Sequence, residues 1–209
     1  MWLALGIGLG ILAARFRGRI VDRLSTIFVL IGTSLPTFLT GLLLLVFVVI
    51  RWGLIPFPSG NYTSFFENPF EWAQILFLPW LTLAFAYAAL YTRFVRSSVI
   101  DTSNEDYIRT ARAKGLSEGV ILGKHTLRAA LAPIATMAGL DFAGLLGGAI
   151  LTESVFNLPG LGRLAISAVT KYDLPIIVAT TLLAAFIVVI MNLIVDILYA
   201  YIDPRVRVA

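Results

Sequence analysis

The chain contains no cysteine and only one histidine among its 209 residues. The absence of cysteine excludes disulfides and thiolate chemistry, and a single histidine is too few for a cluster of histidine metal ligands. Charged residues are also scarce, at 13% of the sequence, whereas hydrophobic residues make up 59%. Because this balance lies far outside that of a soluble domain with one buried core, the sequence predicts an integral membrane protein.

Five apolar stretches are candidates for membrane-spanning helices, namely residues 1–14, 24–50, 73–91, 131–151 and 175–200. All but the first reach the roughly 20 residues that a helix needs to cross the hydrocarbon. Since the membrane interior requires backbone polar groups to be bonded within the chain, we expect an all-α, polytopic transmembrane bundle of about five spans. We treat residues 1–209 as one transmembrane domain and expect one further helix to precede the short first stretch.

Lysine and arginine are distributed unequally among the connections. Four lie between the first two stretches, seven between the third and fourth, and two after the last, whereas the other two connections hold three. Because basic connections remain in the cytoplasm, this pattern predicts a cytoplasmic C-terminus. The net charge of +4 therefore has a membrane explanation and does not call for nucleic acid.

The basic connection between the third and fourth stretches, at about 102–130, has the signals of a helical hairpin. Ser103 is placed to cap a first helix, with Glu105 in its first turn. Gly115 can take the left-handed backbone that ends such a helix, and Ser117 can start the next helix at once.

Small and apolar residues of this hairpin are expected to form a docking surface. Ala111 and Gly115 would form a flat strip on the first helix, and an apolar seam would follow on the second, made of Leu116, Val120, Leu127 and Leu131. A flat strip with basic residues at its rim suits insertion into a groove of another protein. The alternative is an amphipathic hairpin that lies on anionic lipid.

Residues 107–115 of the hairpin read YIRTARAKG, and Pro133 follows. This segment resembles the coupling-loop signature of permease subunits of bacterial ABC importers, in the variant of the dipeptide, oligopeptide and nickel family. Three further motifs match in order, SLPTFLTGLLL at 34–44, TESVFNLPGLGRL at 152–164 and NLIVDILYAYIDPRVR at 192–207. The chain is most similar to the first of the two permeases in such systems, without that subunit's usual opening helix and outer segment.

The resemblance implies a multi-pass permease of the bacterial inner membrane that forms a path for di- or oligopeptides, with a nickel complex as the alternative substrate. It implies a second homologous permease, two cytoplasmic ATPase subunits and an extracytoplasmic substrate-binding protein as partners, besides the lipid bilayer. The residues expected to dock the ATPases are Arg109, Thr110, Ala111, Arg112, Ala113, Lys114, Gly115 and Leu116.

The chain has no glycine-rich nucleotide-binding motif of the form GxxxxGK[ST]. We therefore expect no catalytic residue, no metal site and no cofactor on this chain, and place ATP and Mg on the partner ATPases. A secondary transporter or channel is a further alternative, although no internal repeat supports it. An intramembrane aspartyl protease would need Asp141 and Asp196, but the surrounding sequence GLDF does not fit that class.

Five residues are candidates for the translocation path or its gate, namely Pro36, Asp141, Glu153, Phe156 and Pro159. An ionised carboxylate at the depth of Asp141 costs on the order of 2.5 to 3.5 kcal/mol, so it is expected to face a polar path or a neighbouring helix. The segment 153–162, with its Pro-Gly turn, either rims the outer mouth or forms a capped outer loop.

Pro36 predicts a kink, with Thr40 among the hydroxyls able to bond the freed carbonyl groups. Two glycine pairs, Gly6 with Gly10 and Gly144 with Gly148, have the four-residue spacing that allows helices to approach closely. Asp203, Pro204 and Arg205 are expected to end the last helix.

Overall fold

The computed structural model describes residues 1–53, 62–146 and 149–202, apart from the side chains of residues 132, 143, 146, 195, 196 and 198–202. Every regular element in these ranges is helical, which confirms the all-α prediction. The elements are α1 (Trp2–Arg15), α2 (Ile20–Ser34), α3 (Thr37–Leu44), the π-helix π1 (Leu45–Arg51), α4 (Pro69–Ser103), α5 (Asp106–Ala113), α6 (Glu118–Val120), the π-helix π2 (Ile121–Thr126), α7 (Leu127–Leu146), α8 (Ile150–Val155), α9 (Leu161–Thr170) and α10 (Leu174–Ile202).

Two of the described helices are long and apolar enough to cross a membrane, α4 and the Leu174–Ile194 part of α10. The number rises to three if the bent pair Ile20–Ser34 and Thr37–Arg51 is one span. The sequence predicts about five spans. The fourth predicted stretch begins in α7 and passes through residues 147–148, which are outside the described ranges. Asp203, Pro204 and Arg205, predicted to end the last helix, also lie outside the described ranges.

The described chain divides into two compact units, each assembled from separate segments. The first unit contains Met1–Thr33, Tyr87–Leu140 and the end of α10 from Leu193. The second unit contains Ser34–Ala86 and Asp141–Asn192. The hairpin predicted at 102–130 therefore belongs to the first unit. Residues 153–162, called the outer segment after their predicted side of the membrane, belong to the second.

In the first unit, α1 packs directly on α4 through the predicted pair of small residues. A Cβ added at Gly6 would lie 2.5 Å from the Cβ of Tyr91, and one added at Gly10 would lie 2.6 Å from the Cβ of Val95. Trp2 packs edge-on against Tyr91, with ring centroids 4.6 Å apart. The close approach predicted at Gly6 and Gly10 is confirmed, because only a missing side chain allows the two backbones so near.

At Gly144, by contrast, an added Cβ would meet nothing within 4 Å. No close approach is therefore made at Gly144 within the described part of this chain, and close packing of the Gly144 and Gly148 pair against another helix stays a prediction. Gly148 is outside the described ranges.

A buried ion pair joins the start of α2 to α4. The carboxylate of Asp22 accepts hydrogen bonds from Nε–H of Arg96 at 2.6 Å and from Nη2–H at 3.0 Å. It also accepts the backbone N–H of Gly18 at 2.9 Å, in the turn between α1 and α2. The side chain of Asp22 is only 9% exposed, so these three donors compensate for its lost hydration.

Replacing Asp22 with alanine is expected to lower the free energy of unfolding by about 1–3 kcal/mol, because Arg96 would lose its partner while remaining two-thirds buried. The measurement is the thermal unfolding midpoint of the detergent-purified chain. Asp101→Ala is the matched control, since Asp101 is an exposed carboxylate on α4, the helix that carries Arg96. Equal midpoints for the two variants would contradict the role given to the pair.

Candidate functional site

The hairpin begins later than the sequence predicts. Helix α4 continues to Ser103, whose hydroxyl donates to the carbonyl of Val99 at 2.6 Å. The prediction of Ser103 as a cap is therefore wrong, because its hydroxyl bonds backward into the helix that it ends. Glu105, in an extended conformation, precedes α5 instead.

Gly115 ends α5 in the predicted left-handed conformation, with φ of +79°. Its N–H donates to the carbonyl of Arg112 at 2.9 Å, and the N–H of Leu116 donates to the carbonyl of Ala111 at 3.3 Å. These two bonds form a Schellman motif, which satisfies the last carbonyl groups of the helix. Ser117 then precedes α6, as predicted.

The two arms of the hairpin are held together by a small apolar cluster of Ile108, Ala111 and Ile121. Ala111 is only 8% exposed. The prediction of a flat exposed strip is therefore wrong at Ala111, because this residue packs against the second arm.

The predicted seam on the second arm is wrong at Leu116 and Val120, which are exposed, whereas Leu127 and Leu131 are half-buried. The buried positions are Ile121, which packs against the first arm, and Thr126, Ala130 and Ile134. The wider turn of π2 spaces Ile121 and Thr126 five residues apart, before the four-residue spacing resumes in α7.

An ion pair crosses the glycine turn. Nε–H of Arg112 donates to Oε1 of Glu118 at 2.7 Å, and Nη2–H donates to Oε2 at 3.4 Å. This contact with Arg112 holds the pKa of Glu118 below its ordinary value. The contribution of the pair is therefore present at neutral pH and is lost only as pH falls through that lowered pKa.

Seven of the eight residues expected to dock a partner are exposed, and Ala111 is the exception. The side chain of Arg112 is paired with Glu118. Nη1 of Arg109 lies 3.5 Å from Oδ1 of the highly exposed Asp106, and such an exposed pair contributes little to stability. Thr110, Lys114 and Leu116 complete an exposed surface around the fixed turn at Gly115.

In the second unit, the outer segment is also built around a Schellman motif. The N–H of Leu158 donates to the carbonyl of Glu153 at 2.8 Å, and the N–H of Asn157 donates to that of Ser154 at 3.3 Å. The left-handed residue is Asn157, with φ of 54°, whereas Gly160 has φ of −113°. The turn predicted at Pro159 and Gly160 therefore has its reversal two residues earlier.

Glu153 caps helix α9 from a distance. Its carboxylate accepts the N–H of Arg163 at 2.9 Å, in the first turn of α9. A Cβ at Gly160 would collide with this carboxylate, and a Cβ at Gly162 would collide with Ile150. Gly160 has no side chain with which to cap the helix, so Glu153 supplies the oxygen and its charge complements the helix dipole. This geometry supports the capped-loop interpretation for Glu153.

Two other gate candidates have structural contacts in the same unit. Phe156 is 4% exposed and packs with Val49 and Leu78 in a buried cluster. Pro36 precedes α3, where its carbonyl accepts both the hydroxyl of Thr40 at 3.3 Å and the backbone N–H of Thr40 at 3.0 Å, so it is not a carbonyl freed by the proline. Asp141 is partly buried in α7, and the side chain of Asp196 is not described, so the acid pair of the protease alternative is not tested.

Two ion pairs and one cap were missed by the sequence reasoning. Asp22 and Arg96 are 74 residues apart, so no local pattern indicates their contact. Arg112 and Glu118 flank the glycine turn, and their opposite charges were a usable signal. The glycine at position 160, just before a helix, was the corresponding signal for a cap supplied by Glu153.

Residues 6–208 match the family of binding-protein-dependent transport system inner membrane components. The chain belongs to this family, a class of membrane permease subunits.

Among its relatives are a probable peptide ABC transporter permease protein of Sinorhizobium fredii and glutathione transport system permease proteins of Escherichia coli and Salmonella paratyphi A. The first is 42% identical over 207 residues, which are 98% of this chain and 65% of the relative. The Escherichia coli protein is 44% identical over 202 residues, which are 97% of this chain and 63% of the relative. The Salmonella paratyphi A protein is 44% identical over 208 residues, which are 99% of this chain and 65% of the relative. The chain thus spans a little under two thirds of the length of these relatives.

Proposed function

We propose that the chain is a permease subunit of an ABC importer and forms part of the translocation path for di- or oligopeptides. Family membership and the two kinds of relative, named for peptides and for glutathione, support this function. Nickel, the alternative cargo, appears in the name of neither. The chain itself carries out no catalysis in this proposal.

The observation that supports the coupling role is the helical hairpin between α4 and α7. Its turn is defined by a left-handed glycine, an apolar cluster and an ion pair, while its tip remains exposed. Adsorption to lipid requires exposed cations but no fixed turn geometry. A preorganised turn with an exposed tip therefore favours docking to a protein over a lipid surface.

In this proposal the exposed tip docks two cytoplasmic ATPase subunits, which bind ATP and Mg. A second permease completes the path, and an extracytoplasmic binding protein delivers the peptide. The hairpin and the C-terminus lie on the cytoplasmic side of the inner membrane, in agreement with the distribution of basic residues. Closure of the ATPases would move the hairpin, and α4 and α7 would transmit the movement to the path.

The absence of cysteine allows a direct test of docking. A Lys114→Cys variant of the full chain, assembled with its ATPase subunits in membranes, is expected to crosslink to an ATPase through a short bifunctional reagent. Lys171→Cys is the matched control, because Lys171 is also an exposed lysine and lies in a connection predicted to be outside. Crosslinking from Lys171 but not from Lys114 would overturn the proposal.

A further inference from the structure

The outer segment of the second unit contains an open groove of about 470 Å³. It is lined by Pro159, Gly160, Leu161, Arg163, Leu164 and Ser167. This volume lies within the range of small-ligand sites, about 300–1,000 Å³. All six residues come from the end of the outer loop and the first two turns of α9, so the Schellman motif and the cap by Glu153 fix the shape of the groove.

The groove contains one guanidinium, that of Arg163, which forms no ion pair with a described carboxylate. The ion pairs of Asp22, Asp106 and Glu118 are made with other arginines, and the guanidinium of Arg163 belongs to none of them. The nearby carboxylate of Glu153 accepts the backbone N–H of Arg163, at the start of α9. The side chain of Arg163 is thus exposed, and no carboxylate of the described residues pairs with it.

The other groove residues complement this charge. Ser167 lies four residues after Arg163, so the hydroxyl and the guanidinium lie on the same face of α9. Leu161, Leu164 and Pro159 supply apolar surface beside these donors. A ligand that fits both parts has a carboxylate next to an apolar or small side chain, as the C-terminal residue of a peptide does.

We propose that this groove receives the terminal carboxylate of a peptide substrate, with Arg163 as its principal ligand. A guanidinium can donate two parallel hydrogen bonds to a carboxylate, which is the strongest such contact available to a side chain. Ser167 donates a further hydrogen bond, and the apolar residues contact the last side chain of the peptide. The inference rests on the proposed function and specifies that the substrate carries a free C-terminus.

The test compares uptake of a tripeptide with uptake of its C-terminal amide by the complete importer in proteoliposomes. The wild type is expected to prefer the free acid. Arg163→Gln should raise the KM for the free acid about tenfold and leave the KM for the amide unchanged, because only the acid loses a charge-assisted contact. Arg163→Lys, which keeps the charge but not the paired donors, should give an intermediate KM.

Lys171→Gln is the matched control, because it removes an exposed cation at the other end of α9, outside the groove. An unchanged KM for the free acid in Arg163→Gln would overturn the inference. An equal rise for acid and amide would overturn it too, since that result places Arg163 against an acidic surface of the binding protein. With either of these KM results, continued ATP-driven uptake by the wild type would leave the proposed function intact. Absence of peptide uptake by the wild type would overturn the inference and the proposed function together.

Discussion

Replacing Gly115 with valine is expected to abolish coupled uptake while ATP hydrolysis by the partner subunits continues. Gly115 has φ of +79°, where an L-residue with a Cβ is disfavoured by about 1–2 kcal/mol and a β-branched residue is a stronger outlier. The strained turn would release the two Schellman hydrogen bonds and separate Arg112 from Glu118. The measurement is the ratio of peptide taken up to ATP hydrolysed in proteoliposomes.

Two control variants identify the cause of such a loss. Gly115→Asn adds a side chain but tolerates the left-handed conformation, so it should retain most coupled uptake. Gly119→Val adds the same bulk in the next helix, where a Cβ meets nothing within 4 Å, and should also retain it. Normal coupling in Gly115→Val would show that the turn does not transmit the movement. Loss in Gly115→Asn would indicate instead that the tip must be flat.

Replacing Gly6 with valine is expected to destabilise the first unit by about 1–3 kcal/mol, the usual cost of overpacking. An added Cβ would lie 2.5 Å from the Cβ of Tyr91 and 3.1 Å from the carbonyl oxygen of Ala88. Because Ala88 contributes backbone, which cannot turn aside, α1 would have to move away from α4. The measurement is the thermal unfolding midpoint of the purified chain, together with its yield from membranes.

Gly8→Val provides the comparison for Gly6→Val. Gly8 lies in the same helix, so the change in helix propensity is the same, but a Cβ there meets nothing within 4 Å. Similar midpoints for the two variants would mean that the close packing of α1 on α4 does not stabilise the protein. A large loss for Gly6→Val alone would establish that it does.

The features predicted correctly from the sequence have local causes. Gly115 ends a helix because glycine alone enters the left-handed region without strain, and its position after RTARAK is visible in the sequence. Gly6 and Gly10 permit close packing because a four-residue spacing places both on one side of a helix. The all-α architecture follows from composition, because apolar stretches in a membrane must bond their own backbone groups.

The wrong predictions have causes both near and farther along the chain. The hydroxyl of Ser103 bonds back to Val99 within α4 instead of capping the next helix. A regular periodicity of 3.6 residues predicted Leu116 and Val120 on the apolar seam, but Ile121 is the residue that packs against the first arm. Ala111 was expected to be exposed, and the second arm of the hairpin covers it. In the last two cases the pattern describes an isolated helix, and packing between the two arms changed the result.

The outer segment shows the same limit at a candidate site. Its acid, aromatic residue and Pro-Gly pair are compatible with a rim of the outer mouth or a capped loop, and the family resemblance favoured the rim. The structure assigns Glu153 to the start of α9 and Phe156 to a buried cluster, and thereby leaves Arg163 as the exposed cation of a groove. Which polar residue is available to a ligand depends on which others already have partners.

The sequence by itself determined that this is an all-helical membrane protein, where its basic hairpin lies and where its backbone reverses at Gly115. These properties depend on composition and on the conformational range of single residues. Only the tertiary structure decided that Asp22 pairs with Arg96, that Ala111 is covered and that Glu153 caps α9. Each of these contacts depends on distances between residues separated in the chain, and such distances exist only once the helices have packed.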